Sequence, residues 1–382
     1  MSVGIQFGRY LLRERLGTGG MASVWTAVDA SGQALVVKRI LPSLAADAEF
    51  VAMFDREATL SARLRHPNIV RVVDHGDYEG ERYLAMEHLY GRDLSTVMME
   101  LVKRGAPPAG LGAFVGLAVC RALAYVHALA ADDGTPLGLV HRDVSLSNVM
   151  LGFDGSVKLL DFGVAKALAE ERSQQTQVGV LKGKWSYLAP EQVEGGAADH
   201  RADLFALGIV LWEMLTGRRL FKGATGLQTL EKVRAAQVLP PSTINPAVPQ
   251  ALDAIVLKAL ARAPSARWQS AAQLADALAG VVATLGFGAH ELRLAMMALF
   301  GDDEDTAPVS RVAFEPTWET GELASSGGAD EPSLPRAPVP AATLESLGRK
   351  SRADWRLVVA AAAAAALGAF TGWQISLLHA AR

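Results

Sequence analysis

The chain has 382 residues, half of them hydrophobic and a fifth charged, so it can bury a sizeable core and has length for two domains or one large domain with a tail. A net charge of -3 gives no reason to expect nucleic-acid binding, and a single cysteine, Cys120, excludes an internal disulfide framework and suits a reducing cytoplasm. Residues 1–10 lack the basic and long apolar stretches of a signal peptide.

Residues 10–12, 24–28 and 34–40 read as three strands. Between the first two runs Leu16-Gly17-Thr18-Gly19-Gly20-Met21-Ala22-Ser23-Val24. Its glycines let the backbone bend sharply and bring N–H groups to phosphate oxygens, although a plain hairpin has the same composition. Residues 50–65 form an amphipathic helix with Phe50, Met53, Phe54, Leu60 and Leu64 near helical spacing. Strands follow at 70–73 and 83–86. From Leu94 the period becomes helical, and 111–129 is a long apolar helix holding Cys120 as a core residue and His127 as a packing or surface residue. Residues 131–136 are a polar turn.

The next stretch carries the chemistry. It reads His141-Arg142-Asp143-Val144-Ser145-Leu146-Ser147-Asn148, then an apolar run, then Asp161-Phe162-Gly163. Phosphoryl transfer needs a carboxylate for the attacking hydroxyl, ligands for Mg²⁺ and cations around the phosphates. Asp143 can supply the first, and Asn148 and Asp161 the second. In order and spacing this resembles the catalytic and metal-binding loops of the protein kinase family. The resemblance implies an α+β, two-lobed fold: a small, mostly antiparallel sheet with one main helix above a larger helical lobe, with ATP and Mg²⁺ between them.

The same resemblance implies roles residue by residue. Leu16, Gly17, Thr18, Gly19, Gly20, Met21, Ala22 and Val24 would cover the nucleotide, with Ala22 standing where the pattern has glycine. Leu35-Val36-Val37-Lys38 would be the strand whose Lys38 holds the phosphates, with Val36 in place of the usual alanine. Glu57 would pair with Lys38, with Glu49 and Asp55 as rivals. Met86-Glu87-His88-Leu89 would be the hinge: Met86 guards the back of the pocket, and backbone groups of Glu87 and Leu89 meet adenine. Met150 would line the same site. Asp143 would orient a Ser or Thr hydroxyl of a protein substrate and accept its proton. Ser173 and Thr176 lie in a polar segment that ends at Tyr187-Leu188-Ala189-Pro190-Glu191, an activation segment whose phosphate Arg142 would hold. Asp203 would brace the catalytic loop, and Arg267 would pair with Glu191.

This likeness covers residues 10–283 and is nearest to the bacterial relatives of eukaryotic Ser/Thr kinases. Two departures matter. Ser145 stands where such kinases carry lysine, and Lys184 where they carry threonine. They admit a catalytically inactive kinase-fold scaffold as the alternative, but Lys38, Asp143, Asn148 and Asp161 are intact, so an active enzyme is expected. Lys184 is then a replacement cation at the γ-phosphate, or else merely an exposed lysine.

Residues 284–300 are a helical extension, with an amphipathic helix over 285–300. The stretch 301–350 has the Pro, Gly, Ser and acidic composition of a disordered linker, and Asp302-Asp303-Glu304-Asp305 reads as solvated. Residues 357–378 carry no ionisable side chain up to Leu378 and are long enough to span a bilayer. Arg349, Lys350, Arg352 and Arg356 before them place that side in the cytoplasm, and Trp355 and Trp373 suit the interfaces. The Ala-rich centre leaves a soluble or interfacial helix as the alternative. The expectation is a kinase on the cytoplasmic face of the inner membrane, with lipid and protein substrates as partners, no nucleic acid, and no external sensor domain.

Overall fold

The computed structural model describes residues 4–161 and 185–301. Its first half is an antiparallel sheet in the order β1-β2-β3-β4-β6-β5. The strands are β1 (Ile5–Phe7), β2 (Tyr10–Thr18), β3 (Ala22–Val28), β4 (Ala34–Ile40), β5 (Val72–Tyr78) and β6 (Glu81–Glu87). β1 is too short for an alternation to show in sequence, so the sheet starts before residue 10. Phe7 is what fixes it, buried with Tyr10, Leu12, Leu35 and Val37 on one face.

Period-2 alternation decides which face each side chain takes. In β4, Leu35 and Val37 join that outer cluster, while Val36 turns to the inner one with Leu16, Val24, Leu84 and Met86. Lys38 shares the inner face with Val36. Against that face packs α2 (Ala48–Arg63), which follows a single turn, α1 (Pro42–Ala45). Asp47 caps α2 by accepting from the N–H groups of Glu49 and Phe50. Its buried side is Met53, Phe54, Glu57, Ala58 and Ser61, so one carboxylate faces inward along an apolar stripe.

The second half is helical. β7 (Gly91–Asp93) runs into α3 (Leu94–Arg104) and α4 (Ala109–His127), after which β8 (Val149–Gly152) and β9 (Val157–Leu159) join β7 in a small sheet. After a single turn, α5 (Pro190–Val193), come α6 (His200–Thr216), α7 (Gly226–Ala235), α8 (Gln250–Ala259), α9 (Ala271–Leu285) and α10 (Ala289–Phe300). α6 is buried from Ala202 to Thr216. α4 is apolar and long enough to cross a membrane, yet two-thirds of it is buried in the lobe (67%), so it is a core helix. Gly116 lets α4 approach α6 closely, since a Cβ there would sit 2.5 Å from Leu211 Cδ2.

The helix expected over 285–300 is present but starts four residues later. Leu285 ends α9 because Gly286 takes a left-handed conformation (φ 60°), and α10 begins only at Ala289. The linker expected over 301–350 lies, beyond Gly301, outside the described residues, as does the membrane helix expected over 357–378.

Arg267 is fully buried and donates to both oxygens of Glu191 at 2.7 and 2.6 Å, and to the carbonyls of Ala261, Arg262 and Arg201. Removing it strands Glu191 and three carbonyls. Arg267→Ala is therefore expected to lower unfolding stability by about 3–5 kcal/mol, read as a fall in the urea midpoint, whereas an unchanged midpoint would show the pair to be dispensable.

Candidate active site

The turn between β2 and β3 is closed by Gly19 N–H donating to the Ala22 carbonyl at 2.8 Å. Gly17, Thr18, Gly19, Gly20 and Met21 form its open side, and Ala22 is buried and paired with Ile40. Leu16, Val24, Val36 and Met86 share one buried cluster beneath it, with Leu89 and Leu160 packed against them. Met150 is buried in β8, paired with Asp93 and Lys158. Behind Met86 a cavity of about 10 Å³, room for a single water, reaches Glu57, Ser61 and Asp161. Glu87, at the end of β6, donates its N–H to the Arg71 carbonyl, while its Oε1 accepts from Arg71 N–H and from Lys158 Nζ at 2.6 Å.

Lys38 reaches two carboxylates, Asp161 Oδ2 at 3.2 Å and Glu57 Oε1 at 3.4 Å. Asp55 pairs instead with Arg82, and Glu49 lies exposed in the first turn of α2. Burial works against the ammonium, but Asp161 and Glu57 outweigh it and hold its pKa above the usual lysine value. The sign is that of a raised base: this stabilisation is complete at neutral pH and is lost only as pH rises through the elevated pKa.

The loop after α4 is held by a different carboxylate. Asp203 is 1% exposed, and accepts the N–H of His141 on Oδ2 and of Arg142 on Oδ1, each at 2.8 Å. His127 Nε2 also sits 2.8 Å from Oδ2. Arg142 is thereby kept at φ 62°, a region that costs a non-glycine residue about 1–3 kcal/mol, and its exposed guanidinium has no partner among the described residues. The His141 ring is fully buried. Its Nδ1 accepts from Asp143 N–H at 3.3 Å, so Nε2 carries the proton and donates to the Leu160 carbonyl at 3.0 Å.

Asn148 completes the site. Its Nδ2 donates to the Asp143 carbonyl at 2.8 Å and to Asp143 Oδ2 at 2.7 Å, which turns the amide oxygen away from Asp143. Leu160 N–H returns to the Asn148 carbonyl, tying the loop to the strand end that carries Asp161. An exposed-side carboxylate and an amide oxygen fit Mg²⁺, a hard cation that takes one or two protein oxygens and completes its shell with phosphate and water. Ser145 is 4% exposed, its Oγ 3.1 Å from Ser147 Oγ.

The geometry thus gathers Lys38, Glu57, Asp161, Asn148 and Asp143 into one cleft, with Asp203 behind the loop and Glu191 with Arg267 further off. Phe162, Gly163, Ser173, Thr176 and Lys184 lie outside the described residues. His127 was legible only as a packing or surface residue, because a lone histidine at a helix end does not announce a carboxylate 76 positions away. Lys158 gave no signal at all.

Comparison with known proteins agrees on one family. The protein kinase domain matches residues 10–278. The tyrosine-protein kinase MasK of Myxococcus xanthus is 40% identical over 307 residues, covering 78% of this chain and 47% of that protein. The serine/threonine-protein kinase PknB of Mycolicibacterium smegmatis is 37% identical over 272 residues, 70% and 42%. The chain therefore spans about half the length of the curated relatives it matches. Among solved structures, the Mycobacterium tuberculosis PknI kinase domain superposes with a TM-score of 0.55 at 29% identity, over 73% of this chain and 98% of that one.

Asp203→Asn should leave one of the two loop amides facing an NH₂ group. Amide hydrogen exchange at His141 and Arg142 is then expected to quicken by about 10–100-fold, the equivalent of one stranded donor, with exchange in α6 little changed. Wild-type protection at both amides would remove Asp203 from this role.

Proposed function

The chain belongs to the protein kinase family, and on that premise we propose that it transfers the γ-phosphoryl group of ATP to Ser or Thr hydroxyls of protein substrates. The observation that carries this is Lys38 held charged between Glu57 and Asp161, in one cleft with the Asp143–Asn148 pair. In the mechanism, Lys38 holds the α/β-phosphates, and Glu57 keeps it aimed. Asn148 and Asp161 would hold Mg²⁺, which would supply positive charge to offset that of the phosphates. Asp143, fixed through Asn148 and its own N–H, orients the hydroxyl and takes its proton. Lys184 supplies the cation that Ser145 lacks. Phosphate on Thr176, with Ser173 as the substitute, meets Arg142 and raises activity.

A second reading concerns the acceptor. The relative at 40% identity is named a tyrosine kinase, and Ser145 breaks the Ser/Thr pattern in the catalytic loop. A third, the inactive scaffold, has only the two departures in its favour. One experiment separates all three: radiolabelled ATP with the purified full chain, followed by analysis of the labelled amino acid. Label on Ser and Thr, with kcat lowered about 10³-fold in Asp143→Asn and about 10²-fold in Lys184→Ala, is expected. Phosphotyrosine as the main product selects the second reading, and equal label with Asp143→Asn selects the scaffold.

We also propose that residues 357–378 anchor the chain in the inner membrane, with the kinase domain cytoplasmic. The support is the uncharged run and its basic flank. A linker of about 50 residues spans roughly 40 Å, which would keep the catalytic cleft close to the bilayer. Fractionation of cells expressing the full chain should place it in the membrane pellet until detergent is added. A chain ending at Lys350 should be soluble, and if both are soluble there is no anchor.

A further inference from the structure

The β7–β8–β9 sheet has two faces, and the phosphoryl-transfer reading uses one of them. Its register pairs Asp93 with Met150 and Met150 with Lys158, so these three side chains share a face. That face is turned to residues 86–89, since Lys158 Nζ reaches Glu87 Oε1 at 2.6 Å. Arg92, Leu151 and Val157 are paired in the same way and take the opposite face. Phe153, two positions beyond Leu151, follows them there.

α10 packs from this second side, against β8 and α3. It begins at Ala289, beyond residue 278, where the match to the protein kinase domain ends. Its start sits hard on the turn between β8 and β9: a Cβ on Gly155 would lie 2.1 Å from the Ala289 carbonyl oxygen. Leu292, Met296 and Phe300 turn into the core that also takes Leu151 and Val157. At its end, the Phe300 and Phe153 rings stand with centroids 5.5 and 5.6 Å from the guanidinium carbon of buried Arg92. Arg104, exposed at the end of α3, donates to the carbonyls of Ala298 at 2.8 Å and Leu299 at 3.2 Å. α10 thus grips β7 through Arg92 and the far end of α3 through Arg104. β7 is the direct continuation of residues 86–89, and its Asp93 caps α3 by accepting from Thr96 N–H.

We propose that α10 is a strap that positions the nucleotide site from below, with Phe300 and Arg104 as its positioning residues. It keeps β7, and through it the backbone of residues 87–89, where adenine is met; this rests on the reading of that segment as the adenine site. With the strap released, more arrangements of the segment are open. Apparent affinity for ATP then falls with the fraction of molecules that hold the competent one. The loop of Asp143 is held from elsewhere, by Asp203, so the rate of transfer should change far less.

The test uses the full chain and a fluorescent N-methylanthraniloyl derivative of ATP, whose binding is read without turnover. Phe300→Ala should weaken binding about tenfold and Arg104→Gln, an exposed change that leaves the core intact, about threefold. Phe300→Tyr keeps the ring and Arg104→Lys keeps the cation, and both should bind within about twofold of wild type. KM for ATP should rise by the same factors, with kcat within about twofold. Coupling is reciprocal, so saturating ATP should slow amide exchange over residues 292–300 of the wild-type chain by about tenfold. A helix that only adds stability would lower the urea midpoint in Phe300→Ala, while nucleotide affinity in both variants and exchange under ATP stayed unchanged. That result would overturn the strap. A wild-type chain that fails to bind the nucleotide would instead overturn the reading of the cleft, and this inference with it.

Discussion

A single buried carboxylate holds the loop of His141 to Asn148 in place. Asp203, near the start of α6, fixes two consecutive backbone N–H groups and a histidine ring. α6 is buried over almost its whole length, so its first turn has a fixed position from which to act. Those bonds keep Arg142 in a backbone region it would otherwise leave, and that bend aims Asp143 at Asn148. The strain is local and the support is remote, so the geometry of the cleft depends on the packing of the large lobe.

A pair of carboxylates does comparable work around Lys38. Lys38 is drawn to Glu57 on α2 and to Asp161 at the end of the β9 segment. Those two acids come from parts of the chain about a hundred residues apart, and one ammonium joins them. The lysine, in turn, is delivered by simple strand alternation: Val37 must face the outer cluster, so Lys38 must face inward. Either carboxylate moving away would leave the other to balance a buried charge alone.

Much of this was legible in the sequence because it rests on local periods and short motifs. The strand over 34–40, the helix that carries Glu57 and the passage to helices at Leu94 each follow from spacing within a few residues. The two-lobed fold followed from the motifs taken together. What stayed hidden depends on distant partners. His127 meets Asp203 across 76 positions, and Lys158 meets Glu87 across 71. β1 was hidden for the opposite reason, since three residues carry too little pattern. The start of α10 was read four residues early because apolar residues continue on both sides of Gly286, and only its left-handed backbone marks the boundary.

The end of α10 bears on mechanics. Its last carbonyls, those of Ala298 and Leu299, are held by the guanidinium of Arg104 in α3, and Arg92 lies between the rings of Phe153 and Phe300. Tension applied to the chain beyond Gly301 would therefore not first unwind α10. The load passes sideways into α3 and β7 through two cationic rivets, at the edge of the hinge between the lobes.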